Sequence, residues 1–355
     1  MNYNYQEMSD TNIVSITPMP NPGQLKKEFP LDKEIFDSVV GPSRQIFRDI
    51  LTGEDKRVLA VVGPCSIHNV AEAIEYAKLL RQLSSELKNI HVIMRACFDK
   101  PRTGRGWAGF FQDPDLNESR NIEKGWRLGR QALVEIVSMG MPVGMEMLDA
   151  DAIQNIDDLV SYWWVGARTV TSQRLREITS GVSTPVGFKN PTDGRVEDAI
   201  EAINTAWHNC AFIATNSKGQ RCEYRTSGNK YGHLILRGSS NGPNHDNQSV
   251  EEAVHKLAQK ALPTRLLVDV SHANSGKNHL VQREIITDLV KRITAGENSI
   301  VGFLYESYLE AGNQKLPKDL SELKPRISIT DSCDDFATTC EVLLQADEIL
   351  NHRQK

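Results

Sequence analysis

Val58-Leu59-Ala60-Val61-Val62-Gly63-Pro64-Cys65-Ser66-Ile67-His68 is a short aliphatic run that stops at Gly-Pro and delivers a cysteine just beyond it. Five apolar residues without alternation describe a strand buried on both faces. The pattern returns late in the chain, where Leu266-Leu267-Val268 leads into Asp269-Val270-Ser271-His272-Ala273-Asn274-Ser275. Each segment places a metal-capable side chain, Cys65 or His272, past the C-terminal end of a buried strand. Two borderline ligands delivered from distant strand ends point to one divalent metal over the mouth of a barrel.

Outward from these two runs, six more short apolar segments read as strands. The full set is Arg57–Val62, His91–Cys97, Pro142–Leu148, Trp163–Ala167, Pro185–Lys189, Ala211–Thr215, Leu266–Val270 and Ile300–Tyr305. Helical spacing of apolar residues fills the intervals, at 70–87, 152–159, 249–261 and 281–295. Strand–helix alternation repeated eight times predicts a (β/α)8 TIM barrel and not an open sheet. Trp163-Trp164 reads as strand packing. The long interval 216–249 carries Thr226-Ser227-Gly228-Asn229 and Asn241-Gly242-Pro243-Asn244, and is expected to hold a small β excursion after strand six. Residues 1 to about 30 are polar and contain Pro18, Pro20, Pro22 and Pro30, so they read as an extended arm; the segment from 32 to 51 reads as helix. The expected division is an arm and helix over 1–50, available for oligomer contact, and a catalytic barrel over 51–355.

On such a barrel, chemistry sits where the strands end. Those exits supply Cys65, His272, Glu306 and Asp331, a thiolate, an imidazole and two carboxylates suited to a divalent transition metal. They also supply Arg95, Lys100, Arg102, Arg168, Lys189 and Arg237, with Thr103 beside Arg102 and Glu146 ending strand three. A single arginine is ordinarily a solvated charge, and a lone cysteine after a strand is ordinarily a small buried hydrophobe. It is their common phase at strand exits that argues for a site. Six cations on one rim need anions, and phosphorylated, carboxylated substrates would neutralise them.

Composition narrows the classes. The chain has 355 residues, 39% of them hydrophobic, and a net charge of −5, so no global basic balance points to nucleic acid or a membrane surface. No apolar run approaches a membrane span, and no apolar leader opens the chain. The six cysteines lack CxxC spacing, which speaks for a reducing, cytoplasmic setting. Gly104-Arg105-Gly106-Trp107-Ala108-Gly109 matches a dinucleotide fingerprint by accident, being far from its strand and without an acidic partner.

The ordered set Gly63-Pro64-Cys65-Ser66-Ile67-His68, Met94-Arg95, Lys100-Pro101-Arg102-Thr103, Gly166-Ala167-Arg168-Thr169, Phe188-Lys189-Asn190, Leu236-Arg237-Gly238, Ser271-His272-Ala273-Asn274-Ser275, Glu306-Ser307 and Ser328-Ile329-Thr330-Asp331 resembles the class I 3-deoxy-D-arabino-heptulosonate 7-phosphate (DAHP) synthases. The resemblance runs from about residue 55 to 345. It implies the first step of the shikimate pathway, in which phosphoenolpyruvate and erythrose 4-phosphate give DAHP and phosphate. It further implies one Mn²⁺, Fe²⁺, Co²⁺ or Zn²⁺ on Cys65, His272, Glu306 and Asp331, and phosphoenolpyruvate on Arg95, Lys100, Arg168, Lys189 and Arg237. Arg102 and Thr103 would hold the aldose phosphate, Lys100 and His272 would be catalytic, and the assembly would be a homodimer or homotetramer. Some positions depart from the family. Ala108 stands where members carry Lys, with Arg105 three residues earlier, and Thr171 and Pro191 also differ. In the feedback pocket of aromatic-amino-acid-sensitive members, Ile153 replaces Pro, Ala214 replaces Ser and Tyr224 adds bulk, which implies weak feedback. Two other readings fit the same residues: the same chemistry on another phosphorylated aldose in a specialised aromatic pathway, and a non-catalytic regulatory homologue.

Overall fold

The computed structural model describes residues 10–102 and 104–353. Eight parallel strands close into a barrel. They are β1 (Val58–Gly63), β2 (Ile90–Arg95), β3 (Val143–Glu146), β4 (Val160–Val165), β5 (Val186–Lys189), β8 (Gly232–Leu236), β9 (Leu266–Asp269) and β10 (Ile300–Glu306), with β1 pairing both β2 and β10. The two remaining strands, β6 (Ala211–Thr215) and β7 (Arg221–Arg225), form a separate antiparallel hairpin.

The unbroken apolar runs follow from this layout, because barrel strands are covered on both faces. Leu59, Val61, Ile93, Tyr162, Trp164, Ile235, Leu267 and Leu304 fill the inside. Their neighbours Val58, Ala60, Val62, Val92 and Met94 pack outward in the main core with the surrounding helices. Gly187 has a clear reason to be glycine: a Cβ there would lie 2.2 Å from the Tyr162 hydroxyl inside the barrel. The helix Gly41–Thr52 closes the N-terminal mouth. Its Phe47, Ile50 and Leu51 join the inner cluster, and Arg265, just before β9, donates to the carbonyls of Ile50 and Leu51. Helices Val70–Ser84, Ile122–Ser138, Ala150–Ile156, Gln173–Thr179, Val196–Trp207, Asn247–Gln259, His279–Thr294 and Phe336–Leu350 surround the strands.

One strand assignment is corrected. Ala211–Thr215 is not a barrel strand but pairs with β7 in the expected small β excursion, and the sixth barrel strand is β8. The physical difference is burial. Every residue of β8 is buried, whereas β6 exposes Ala211 and Ile213 and hides Phe212 and Ala214, the alternation of a one-sided hairpin. Asn216 makes the turn, its side-chain oxygen accepting from the amides of Lys218 at 2.9 Å and Gln220 at 3.0 Å. The N-terminal arm is likewise not extended throughout. Pro22–Glu28 is a helix, because Asn21 and Gln24 cap one another reciprocally at 2.9 Å each way and Pro22 occupies the first turn. Leu25 is buried against the barrel, and Lys26 pairs with Asp157 and Asp158. Ahead of that helix, Ile13, Val14 and Ile16 are exposed.

Candidate active site

Register assembles the site. Gly63 at the end of β1 pairs with Glu306 at the end of β10, so Cys65, two residues on, stands over Glu306. Donor atoms of Cys65, Glu306 and Asp331 all lie within 4.8 Å of one another. The Asp331 amide reaches the Cys65 sulfur at 3.4 Å, and the Cys65 amide reaches the Cys333 sulfur at the same distance. His272 adopts φ 56°, a left-handed conformation that turns its ring back over the mouth. Its Nε2 lies 3.7 Å from a Glu306 oxygen, beside the three-donor group and not within it. Sulfur, imidazole and carboxylate together suit a borderline divalent ion.

The cations gather on the adjoining wall. Arg95 donates to Glu306 at 3.0 Å, and its other terminal nitrogen is buried without a partner. Lys100 donates to the Cys65 sulfur at 3.1 Å and the Cys65 carbonyl at 2.9 Å. Lys189 pairs with Asp269 at 2.5 Å. Trp164 is the floor, 5.4 Å below the Arg95 guanidinium and 5.8 Å below the Lys189 ammonium. Arg237 is only 7% exposed and has a buried Nε without a partner. Burial holds its pKa below the usual guanidinium value; Asp269 opposes that shift and Arg168 adds to it. Asp331 sits below the usual carboxylate range: burial works against this, but His272 and Lys100 outweigh it. Burial pushes the Cys65 thiol up to about 11, with Glu306 adding and Lys100 opposing.

Peripheral members are placed less tightly. Glu146 ends β3 with its carboxylate in space that a side chain on Gly166 would occupy. Arg168 and Arg102 are exposed, and the Arg102 Nε donates to the Trp107 carbonyl at 2.9 Å. Thr103 lies outside the described residues.

Three contributors escaped the sequence reading. Asp269 is buried between Lys189 and His272; burial works against its charge, but His272 and Lys189 hold it well below the usual carboxylate range. Asn190 accepts from the Arg237 amide at 3.0 Å and donates to the Gly238 carbonyl at 2.9 Å, fixing that turn, where Gly238 has φ 72°. Trp164 is more than packing, since two site cations lie over its ring. An acidic residue in the inward phase of a buried strand was the available signal for Asp269. For Asn190 and Trp164 the signal lies only in the fold.

Comparison with known proteins agrees with this geometry. Residues 28–343 match the DAHP synthetase I family. A phospho-2-dehydro-3-deoxyheptonate aldolase of Corynebacterium glutamicum is 38% identical over 99% of this chain and 97% of its own length. A Tyr-sensitive enzyme of that name from Escherichia coli is 38% identical over 97% of this chain and 96% of its own length. The solved phospho-2-dehydro-3-deoxyheptonate aldolase of Francisella tularensis superposes with a TM-score of 0.93 at 40% identity, covering 97% of this chain and 100% of that one. With near-complete coverage in sequence and structure, and the strand-exit residues gathered at one barrel mouth, the chain belongs to the DAHP synthetase I family.

Proposed function

We propose that the protein condenses phosphoenolpyruvate with erythrose 4-phosphate to give DAHP and inorganic phosphate, the first step of the shikimate pathway. The observation that carries this reading is the juxtaposition of the Cys65–Glu306–Asp331 donors with buried guanidinium groups whose N–H donors lack partners. The names of the relatives support it.

Arg95, Lys100, Arg168, Lys189 and Arg237 hold phosphoenolpyruvate, its phosphate and carboxylate meeting the unpartnered donors of Arg95 and Arg237. Arg102 and Thr103 take the phosphate of the aldose. Cys65, His272, Glu306 and Asp331 would hold a divalent ion, Mn²⁺, Fe²⁺, Co²⁺ or Zn²⁺, which would supply Lewis-acid polarisation of the aldehyde. Lys100, its ammonium beside Cys65, gives a proton to the aldehyde oxygen as the enol carbon of phosphoenolpyruvate forms the new C–C bond. Water then adds at the enol-ether carbon, returning one of its protons to Lys100; the bond from that carbon to the bridging oxygen breaks, and water's second proton leaves with the phosphate. Glu146, at the end of β3, is a further candidate at the same mouth. Burial of the floor by Trp164 keeps other water from the charged groups.

The reading extends to assembly and setting. Residues 1–50 serve as an arm and helix that join copies into a homodimer or homotetramer, supported by the exposed Ile13, Val14 and Ile16. Residues 51–355 form the catalytic unit. The six cysteines are all free, in keeping with a reducing, cytoplasmic setting. Among the described residues no helix is long and apolar enough to cross a membrane.

The test is phosphate release from phosphoenolpyruvate across a panel of aldose phosphates, before and after chelation. Erythrose 4-phosphate is expected to give the highest kcat/KM, with activity lost on chelation and restored by Mn²⁺, Co²⁺ or Fe²⁺. Full activity with metal absent by elemental analysis refutes the metal role, and preference for another aldose refutes the substrate.

A further inference from the structure

One carboxylate oxygen touches both halves of the site. Asp269 Oδ2 lies 2.5 Å from Lys189 Nζ and 3.0 Å from His272 Nδ1. The residue is fully buried at the end of β9, and its other oxygen accepts from the Ser271 amide at 3.1 Å. Its carbonyl accepts from the Asn274 side chain at 2.8 Å, which pins the turn carrying His272. The Nδ1 separation is that of a hydrogen bond, but the ring N–H is not well aligned on the oxygen, so Nδ1 remains without an aligned partner. Such bonds commonly tighten once a site is loaded.

Resting on the functional reading above, we propose that Asp269 is a positioning residue that couples the metal donors to the phosphoenolpyruvate cations. Accepting from Nδ1–H leaves Nε2 as the bare nitrogen on the side of Glu306, the tautomer a ligand histidine needs. Gripping Lys189 with the same oxygen holds that ammonium over Trp164, at the level of Arg95. A buried carboxylate with two cationic or donor neighbours on one oxygen is also a fixed distance between them. Displacing either side chain disturbs the other.

The experiment uses the full chain loaded with Co²⁺, reading thiolate-to-cobalt absorption and d–d bands together with steady-state kinetics. The parent should show a thiolate band that Cys65→Ser removes. Asp269→Asn keeps the side-chain volume, and should weaken Co²⁺ binding by about 10- to 100-fold. It should also raise KM for phosphoenolpyruvate while leaving KM for the aldose phosphate unchanged. Adding Asp269→Asn to a His272→Ala background should weaken Co²⁺ binding no further, since the effect acts through His272. A purely structural role predicts additive losses and a uniform fall in kcat, and either result overturns the proposal. If Asp269→Asn does not fold, pairing it with Lys189→Met removes both charges of the buried pair and leaves the cobalt readout intact. A parent that shows no thiolate-bound cobalt overturns the functional reading and this proposal with it. A parent that binds, beside an Asp269→Asn variant that binds as tightly with unchanged KM values, overturns this proposal alone.

Discussion

Arg237 shows how the site stores its affinity in single residues. Among the described residues it forms no ion pair, and its guanidinium is buried beside an Asn190 anchor that holds its backbone and not its charge. An unpaired buried cation is unfavourable in the resting protein and becomes favourable when an anion arrives. Arg237→Met is therefore expected to raise KM for phosphoenolpyruvate by one to two decades. That follows from a charge-assisted contact worth about 1.5–3 kcal/mol, at about 1.4 kcal/mol per decade. The same variant should melt at an equal or higher temperature than the parent, because the desolvated charge is gone. Arg168→Ala, at an exposed position, should raise KM without moving the melting temperature. Kinetics and thermal unfolding on both variants decide the matter; an unchanged KM in either removes that arginine from the phosphate site.

At the level of the strands, the inner layer is more than filler. His233 on β8 is fully buried, with Nε2 3.0 Å from the Tyr162 hydroxyl and the ring 5.2 Å from Phe47. Burial pushes its pKa down to about 4, and burial together with Arg57 does the same to His91 on β2. In the unfolded chain each imidazole protonates near 6.5. Between about pH 6.5 and 4 the unfolded state therefore takes up the proton that the folded state refuses. Stability is complete above the upper limit and falls as pH drops through the window, by roughly 3 kcal/mol for one such group. His233→Gln retains a partner for Tyr162 and should flatten the acid slope in denaturant titrations run across this range. An identical slope in variant and parent assigns the proton uptake to other groups. Strands also show where reading from sequence stops. Leu234-Ile235-Leu236 and Ala211–Thr215 are both apolar runs, and only the neighbours that cover each run separate a barrel stave from a hairpin.

For the whole molecule, the hairpin and the helices beside it enclose a cavity of about 460 Å³ away from the barrel mouth. Its wall includes Ile153, Trp163, Ser180, Phe212, Tyr224 and Thr226, and the rings of Phe212 and Tyr224 stack at 5.4 Å. Ile153 and Tyr224 thus occupy the region where the family resemblance places feedback control. Ala214 is buried in the hairpin and takes no part in the wall. Excess bulk in a fitted pocket typically costs 1–3 kcal/mol, about one to two decades in affinity. Little inhibition by phenylalanine, tyrosine or tryptophan is expected at millimolar-scale concentrations. Inhibition assays with all three check this, and strong inhibition by any one means the cavity still accepts an aromatic effector.

The sequence alone determined the barrel and most of its rim. Short apolar runs recurring between helical segments point to barrel strands covered on both faces, and the polar residues at their ends then fall near the mouth. That is a local argument: Arg95, Lys189 and Glu306 continue the inward phase of Ile93, Gly187 and Leu304, because strand phase has a period of two, whereas His272 lies in the turn beyond β9. The helix Pro22–Glu28 was not read from the sequence, because the prolines around it obscured the Asn21–Gln24 capping box that starts it. What only the tertiary structure decided is which strand neighbours which, and so what each exit residue touches. The sharing of one Asp269 oxygen by Lys189 and His272, the isolation of the buried Arg237 charge, and the exclusion of Ala211–Thr215 from the barrel all depend on closure. They are contacts between segments far apart in the chain, and no local spacing encodes them.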